Sequence, residues 1–369
     1  IEKLENLYDS FIFFLRPRRF GKSLFTSVLE NYYDINKEKN FENLFKNTYI
    51  GKNPTPLKNS YYILKFNFSG LITETEDSLI ESFSQACNKA YDEFVRKYNL
   101  SIEYKIMKYP SDTFNMFLGK IRFEIDRPIY VIIDEYDHFA NELLSFETEL
   151  FSNLVSKTGF IRKWYEVLKI GTESIVSRIF ATGVSPITLD SLTSGFNIST
   201  DLTKYKRFNE MMGFTEDEVR SLVKRTVQNE DEIDKIIKEM KVNYNGYLFS
   251  EDGKETLFNS DMVLYYLKSL EETKNAPKEL IDKNIASDYA KLGNMFKLKN
   301  RNENYKILED ILKGEEITAR ITSQFNLERR CNDEDFKSLL FYLGLLTIKG
   351  EDFGDAILDT PNNVIRELY

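Results

Sequence analysis

Three observations predict an α/β protein built on a parallel sheet. Residues 11–23, FIFFLRPRRFGKS, run from a short apolar stretch through an irregular turn into Gly21-Lys22-Ser23 and a helical pattern. Residues 129–137, IYVIIDEYD, hold five apolar residues that end in Asp134-Glu135. Strand-like and helix-like patterns alternate as far as residue 207, as crossover connections between parallel strands require. From residue 208 the pattern turns helical, and the chain closes with helices followed by a β-hairpin pattern. The expected organisation is a parallel-sheet core over residues 1–207, an α-helical unit over 208–280 and a small winged-helix-like domain over 281–369.

The first stretch carries the chemistry. Phe11 to Leu15 read as a buried strand, and Leu24, Phe25, Val28, Leu29, Tyr32 and Tyr33 give the following helix one apolar face. Strand, loop, Gly-Lys-Ser and helix is the arrangement of a phosphate-binding P-loop, in which main-chain N–H groups and a helix N-terminus converge on phosphate oxygens. Lys22 is expected to reach the β/γ-phosphates and the Ser23 hydroxyl to bind Mg²⁺. The general pattern begins with Gly, and Arg16 holds that place here. An ordinary turn into a helix is the competing reading, so the assignment needs a second, acidic motif downstream.

Bulk composition narrows the classes. A chain of 369 residues fits two or three domains, and 42% hydrophobic with 14% aromatic residues supplies a core. The formal charge of −9 argues against whole-surface attraction to nucleic acid. Cys87 and Cys331 are too few for a disulfide framework or a cysteine-ligated zinc site, and they read as thiols of a reducing cytoplasm. His138 is the sole histidine, so any triad or histidine-rich metal site would rest on it alone. No run of about 18 apolar residues predicts a membrane span.

In chain order, residues 37–56 are polar, with Asn53-Pro54-Thr55-Pro56 as a loop signal. Residues 61–68 alternate as a second strand, 74–98 form an amphipathic helix and 113–123 another. The stretch 129–133 with Asp134-Glu135 then has the form of a Walker B strand. Its Asp, at the tip of a central parallel strand, is placed to hold Mg²⁺ through water, and Glu135 to deprotonate an attacking water. A strand capped by solvated acids is the plainer reading, but both halves in the right order favour a P-loop NTPase core. A helix over 146–168 carries Trp164, and 178–184, RIFATGV, is a further buried strand. Thr182 at its tip is the candidate sensor of the γ-phosphate, with Ser185 second, against simple β-propensity for a strand Thr. Residues 189–206, rich in Ser, Thr and Gly, read as a loop.

Beyond it, Thr215 and Glu218 make a capping box for a helix reaching Val227, and a second helix covers 233–241. The aromatic turn Tyr244-Asn245-Gly246-Tyr247 leads to Asn259-Ser260-Asp261, which caps a helix through Leu270; 271–280 read as a linker. Residues 336–346 are helical and 347–358 alternate. The basic run 291–306 is read as a solvated face, with a nucleic-acid contact as the weaker alternative.

FFLRPRRFGKSLF, VIIDEYD, FATGVSPITLDSLTSGFNI, GFTEDEV and YNGYLF with LFNSDMVLYYL together resemble the AAA-ATPase-like family of microbial proteins. That family is related to STAND-type signalling ATPases and commonly carries a C-terminal PD-(D/E)XK nuclease-like domain, and in it Arg commonly replaces the first P-loop Gly. The resemblance implies a Walker A loop of Arg16, Pro17, Arg18, Arg19, Phe20, Gly21, Lys22 and Ser23, with Leu24 beside it, and a Walker B pair of Asp134 and Glu135. It makes the unit after Phe208 an AAA-like lid, with Asn259 near the nucleotide. A nuclease-like domain would begin after Tyr369, and no pair of nuclease acids with Lys is identifiable within the chain.

The leading expectation is an Mg²⁺-dependent ATPase, slow without a partner, in which nucleotide state moves the lid and tail as a regulatory switch. Catalysis would rest on Lys22, Glu135 and Thr182, and the metal on Ser23 and Asp134. ATP is favoured over GTP because no Asn-Lys-x-Asp motif is present. Arg18 and Arg19 either assist phosphate charge or make structural pairs. Expected partners are ATP and a protein or downstream nuclease-like domain. The alternative is a non-hydrolysing nucleotide-binding scaffold, which would have no need of Glu135; a small-molecule phosphotransferase is a third reading.

Overall fold

A computed structural model describes residues 1–140, 159–186, 198–281, 301–323, 325 and 332–369. The chain divides into two compact units. One holds Ile1–Phe14, Lys22–Gly183 and Ile187–Asp201, the other Leu15–Gly21, Val184–Pro186 and Leu202–Tyr369.

The first unit is built on a five-stranded parallel sheet of β1 (Phe11–Leu15), β2 (Tyr62–Asn67), β3 (Ile129–Asp134), β4 (Val176–Gly183) and β5 (Thr200–Asp201), in the order β2-β3-β4-β1-β5. All six residues of β3 are buried, and its β-branched run suits a strand covered on both faces. It pairs with β2 from Tyr62↔Ile129 to Asn67↔Asp134, and with β4 through Ile133↔Ala181. β4 therefore lies between the strand before Gly-Lys-Ser and the strand ending in Asp-Glu, which brings three carboxyl ends together at the place where α/β sheets bind ligands.

Helix α1 (Lys22–Tyr33) buries Thr26, Leu29, Tyr32 and Tyr33. Helix α2 (Glu76–Lys97) starts at a capping box of Thr75 and Ser78 and buries Leu79, Phe83, Cys87 and Phe94. Helices α3 (Pro110–Ile121) and α4 (Phe160–Thr172) follow. Trp164 of α4 is fully buried, stacked on Phe114 and edge-on to Phe66, both at 4.9 Å, and its indole N–H donates to the Tyr91 hydroxyl. Lys97 joins α2 to α1 by pairing with Glu30 at 2.9 Å and with the fully buried Asp34 at 2.6 Å.

Two features of this unit lie outside the sequence reading. The polar stretch 37–56 contains short helical pieces: Phe41–Phe45, where Phe41 and Phe45 stack on each other and turn inward, and Tyr49–Lys52, capped by the Thr48 hydroxyl. Thr200 and Asp201, within the expected loop 189–206, pair with Ile12 and Phe13 as a fifth strand too short to show a period. Residues 146–158 of the expected helix and 189–197 of the expected loop lie outside the described residues.

The second unit contains α5 (Glu216–Thr226), α6 (Glu230–Tyr244), α7 (Ser260–Thr273), α8 (Arg301–Lys313) and α9 (Asp333–Tyr342). Its antiparallel sheet has the order β6 (Ile317–Ala319), β8 (Asp355–Asp359), β7 (Thr347–Asp352). The Thr215–Glu218 box caps α5 as expected from sequence, and Asn259 caps α7 by accepting from the N–H groups of Asp261 and Met262. Helix α7 runs three residues into the expected linker and stops at Lys274 in the left-handed conformation, φ 60°. Residues 291–300 of the basic run are not described. No helix among the described residues is long and apolar enough to cross a membrane.

Candidate functional site

In the first unit, four of the expected residues meet at the carboxyl end of the sheet. Lys22 and Ser23 open α1, and Asp134 and Glu135 close β3. The Ser23 hydroxyl lies beside the Asp134 carboxylate and favours its charged form. Asp134 is 2% exposed, and its Oδ1 has no hydrogen-bond partner. Burial pushes its pKa above the ordinary carboxylate value and the Glu135 charge adds to that; the Ser23 hydroxyl and the charges of Lys22 and Lys65 only partly oppose it. A desolvated carboxylate oxygen beside a hydroxyl is a donor set short of one positive charge, and it suits a hard, oxygen-seeking cation such as Mg²⁺.

Glu135 sits at φ 55°, in the left-handed region that L-residues seldom adopt outside Asn, Asp and Gly. That turn carries its carboxylate to 3.9 Å from the Lys22 ammonium, which is itself 4% exposed. The turn is fixed from below. Tyr136 N–H donates to the Thr182 carbonyl at 3.2 Å, and its ring lies edge-on to Phe13 at 5.0 Å. A Cβ on Gly183 would collide with the Asp137 carboxylate and come within 2.6 Å of the Tyr136 ring, so the tip of β4 has to be glycine for the Asp-Glu turn to lie where it does. The sequence reading missed Gly183, although the dipeptide Thr-Gly ending an apolar strand was its signal.

Thr182 is fully buried at the neighbouring strand tip, and its hydroxyl donates to the Phe14 carbonyl at 2.7 Å. It thereby straps β4 to β1. Ser185, the second sensor candidate, falls in the other unit.

The loop residues Arg16 to Gly21 belong to the second unit. Arg16 is buried, and its guanidinium donates to four carbonyls: Leu15 at 2.9 Å, Thr203 at 3.0 Å, Phe208 at 2.8 Å and Asn209 at 3.0 Å. It also lies 4.1 Å over the Phe249 ring. Arg19, at φ 69°, pairs with Asp261 at 2.9 Å, and the Asn259 amide reaches the Arg18 carbonyl at 3.5 Å. Phe20 is buried edge-on to Tyr247 and Phe249. Pro17 is approached so closely by Gly344 that a Cβ there would come within 2.8 Å. Gly21 takes φ 86°, a conformation glycine adopts without strain. Leu24 is exposed. The expected site residues thus form two groups, one at the sheet tips and one in a loop held by residues 203–261. The residues that hold the loop, Thr203, Asn209 and Phe249 among them, were not found from sequence.

A family model described as predicted AAA-ATPase matches residues 1–193, more than half of the chain. The chain belongs to the AAA-ATPase-like family. The match spans the Gly-Lys-Ser loop, the Asp-Glu strand and the Thr-Gly strand tip of this AAA-ATPase-like protein, and the family description implies nucleotide use. No curated protein matches the chain.

Proposed function

We propose that this AAA-ATPase-like chain binds ATP with Mg²⁺ and hydrolyses it slowly, as a nucleotide-driven switch. The observation that carries the reading is the buried Asp134 carboxylate, with one oxygen lacking a donor, beside the Ser23 hydroxyl at the start of α1. Main-chain groups of the loop from Arg16 to Ser23, with Leu24 following, would cradle the phosphates, and Lys22 would take the β/γ-oxygens. Ser23 and Asp134 would hold Mg²⁺, which when bound neutralises charge on the transferring phosphoryl group. Glu135, two-thirds or more shielded and aimed by its left-handed turn, would orient a water and take its proton as the water oxygen attacks the γ-phosphorus and ADP leaves. Thr182 keeps the β4 tip against β1, a positioning part whose hydroxyl donates a hydrogen bond to the Phe14 carbonyl. Asn259 supports the loop through the Arg18 carbonyl. Residues 208–280 take the part of a lid and 281–369 that of a winged-helix-like tail, with a protein partner receiving the output.

The test is calorimetric titration of the full chain with ATP and Mg²⁺, beside Lys22→Ala. Binding in the parent that weakens at least about 100-fold in the variant supports the reading, since charge-assisted contacts to phosphate are each worth roughly 1.5–3 kcal/mol. Equal binding by the two, or none by the parent, contradicts it.

A further inference from the structure

The loop Leu15–Gly21 is gripped by side chains that lie far along the chain, and Arg16 is the centre of that grip. A guanidinium stays charged at any accessible pH, so burying one is tolerated only where its donors are taken up. Here four carbonyls take the N–H groups of its two terminal nitrogens, and two of these carbonyls, Phe208 and Asn209, close the short helical turn Lys206–Phe208. Asn209 completes the frame. Its side chain accepts from the Phe249 N–H at 3.0 Å and donates to the Glu255 carbonyl at 2.8 Å. The ring beneath the guanidinium and the carbonyls around it are therefore one hydrogen-bonded piece, into which Phe20 also inserts its ring.

We infer that Arg16 is a positioning residue that makes the loop's affinity for phosphate depend on the segment 203–261. Main-chain N–H groups bind an anion well only when their directions are fixed beforehand, because ordering them at the moment of binding costs affinity. In this chain the fixing is supplied by the Arg16 clamp. Coupling of this kind is reciprocal: nucleotide in the loop tightens residues 203–209 and 245–261, and whatever loosens those residues releases nucleotide. The inference rests on the nucleotide reading above.

Its test uses the full chain with three substitutions. Arg16→Met keeps length and removes every donor, and Phe249→Leu removes the ring face while sparing Arg16. Phe94→Leu is a control, weakening a ring packed on Tyr62, Tyr98 and Phe117. ATP affinity with Mg²⁺ is measured by calorimetry, thermal stability by fluorimetry, and amide exchange with and without nucleotide. Arg16→Met should lose affinity about tenfold or more and Phe249→Leu about threefold, with Phe94→Leu within about twofold of the parent despite a lower Tm. In the parent, nucleotide should slow exchange at 203–209 and 245–261, and in Arg16→Met it should not. Unchanged affinity in Arg16→Met overturns the inference, as does affinity that simply follows Tm through all three variants. A parent that binds no ATP, or binds it equally well as Lys22→Ala, removes the nucleotide reading and the inference together, an outcome distinct from a failure confined to Arg16.

Discussion

Replacing Asp134 with Asn should make the nucleotide-free protein more stable and the nucleotide-loaded protein less so. The carboxylate is 2% exposed, one oxygen has no hydrogen-bond partner, and burial raises its pKa. A group with a raised folded pKa weakens the fold where it is ionised, and that penalty is relieved only as pH falls through the folded value towards the unfolded one. Asn keeps an oxygen for Ser23 and substitutes a neutral amide for the uncompensated charge. An unsatisfied amide costs less to bury than an ionised carboxylate, so the gain at neutral pH should be about 1 kcal/mol, or about 2–4 °C in Tm for a unit of this size. With saturating ATP and Mg²⁺ the order should invert. Ligand at about 100 times Kd adds roughly 2.7 kcal/mol to the parent, and the variant, lacking its metal ligand, should gain little. Scanning fluorimetry in chelator and then in ATP with Mg²⁺ reads both arms. A variant less stable than the parent in chelator would show the carboxylate to be compensated after all. Equal stabilisation of both by ATP and Mg²⁺ would remove Asp134 from the metal site.

Three further outcomes follow from the same geometry. Lys97→Met leaves the buried Asp34 and the half-buried Glu30 without their shared cation, and should cost about 2–3 kcal/mol in chemical denaturation. Burial pushes the Glu30 pKa up, but Lys97, with Lys65, outweighs it and holds the group below its ordinary value of 4.5. Its contribution is therefore present above that value and lost as pH falls through the lower folded one, so the parent's acid sensitivity in this window should shrink in Lys97→Met. Gly183→Ala drives a methyl into the Tyr136–Asp137 turn and should lower ATP turnover about tenfold through Glu135, with thermal stability falling by about 1–3 kcal/mol.

The parts that sequence made legible are those whose physics is local. The run 129–134 could only be a buried strand, and its end at Asp134-Glu135 was visible because the apolar run gives way to two adjacent carboxylates. Thr215 with Glu218, and Asn259 before Ser260, announced helix starts through side chains that bond their own next turn. β5 stayed hidden because two residues have no period and are held by partners almost 190 positions away. Arg16 was readable as part of the loop but not as its clamp. Three of the four carbonyls that receive it are 187 to 193 residues downstream of it, and no pattern in RPRRFGKS reports them. The left-handed Glu135 was equally silent, since the packing of Tyr136 and the bare tip of Gly183 that accompany it lie outside any local pattern.

The most direct measurement is steady-state and single-turnover ATP hydrolysis by the full chain with Mg²⁺, beside Lys22→Ala and Glu135→Gln. Turnover in the parent, its loss in both variants, and ATP binding that survives only in Glu135→Gln are the predicted results. Hydrolysis that persists in Glu135→Gln at the parent's rate would contradict the assignment of the base and, with it, the account of the Asp-Glu turn as a catalytic device.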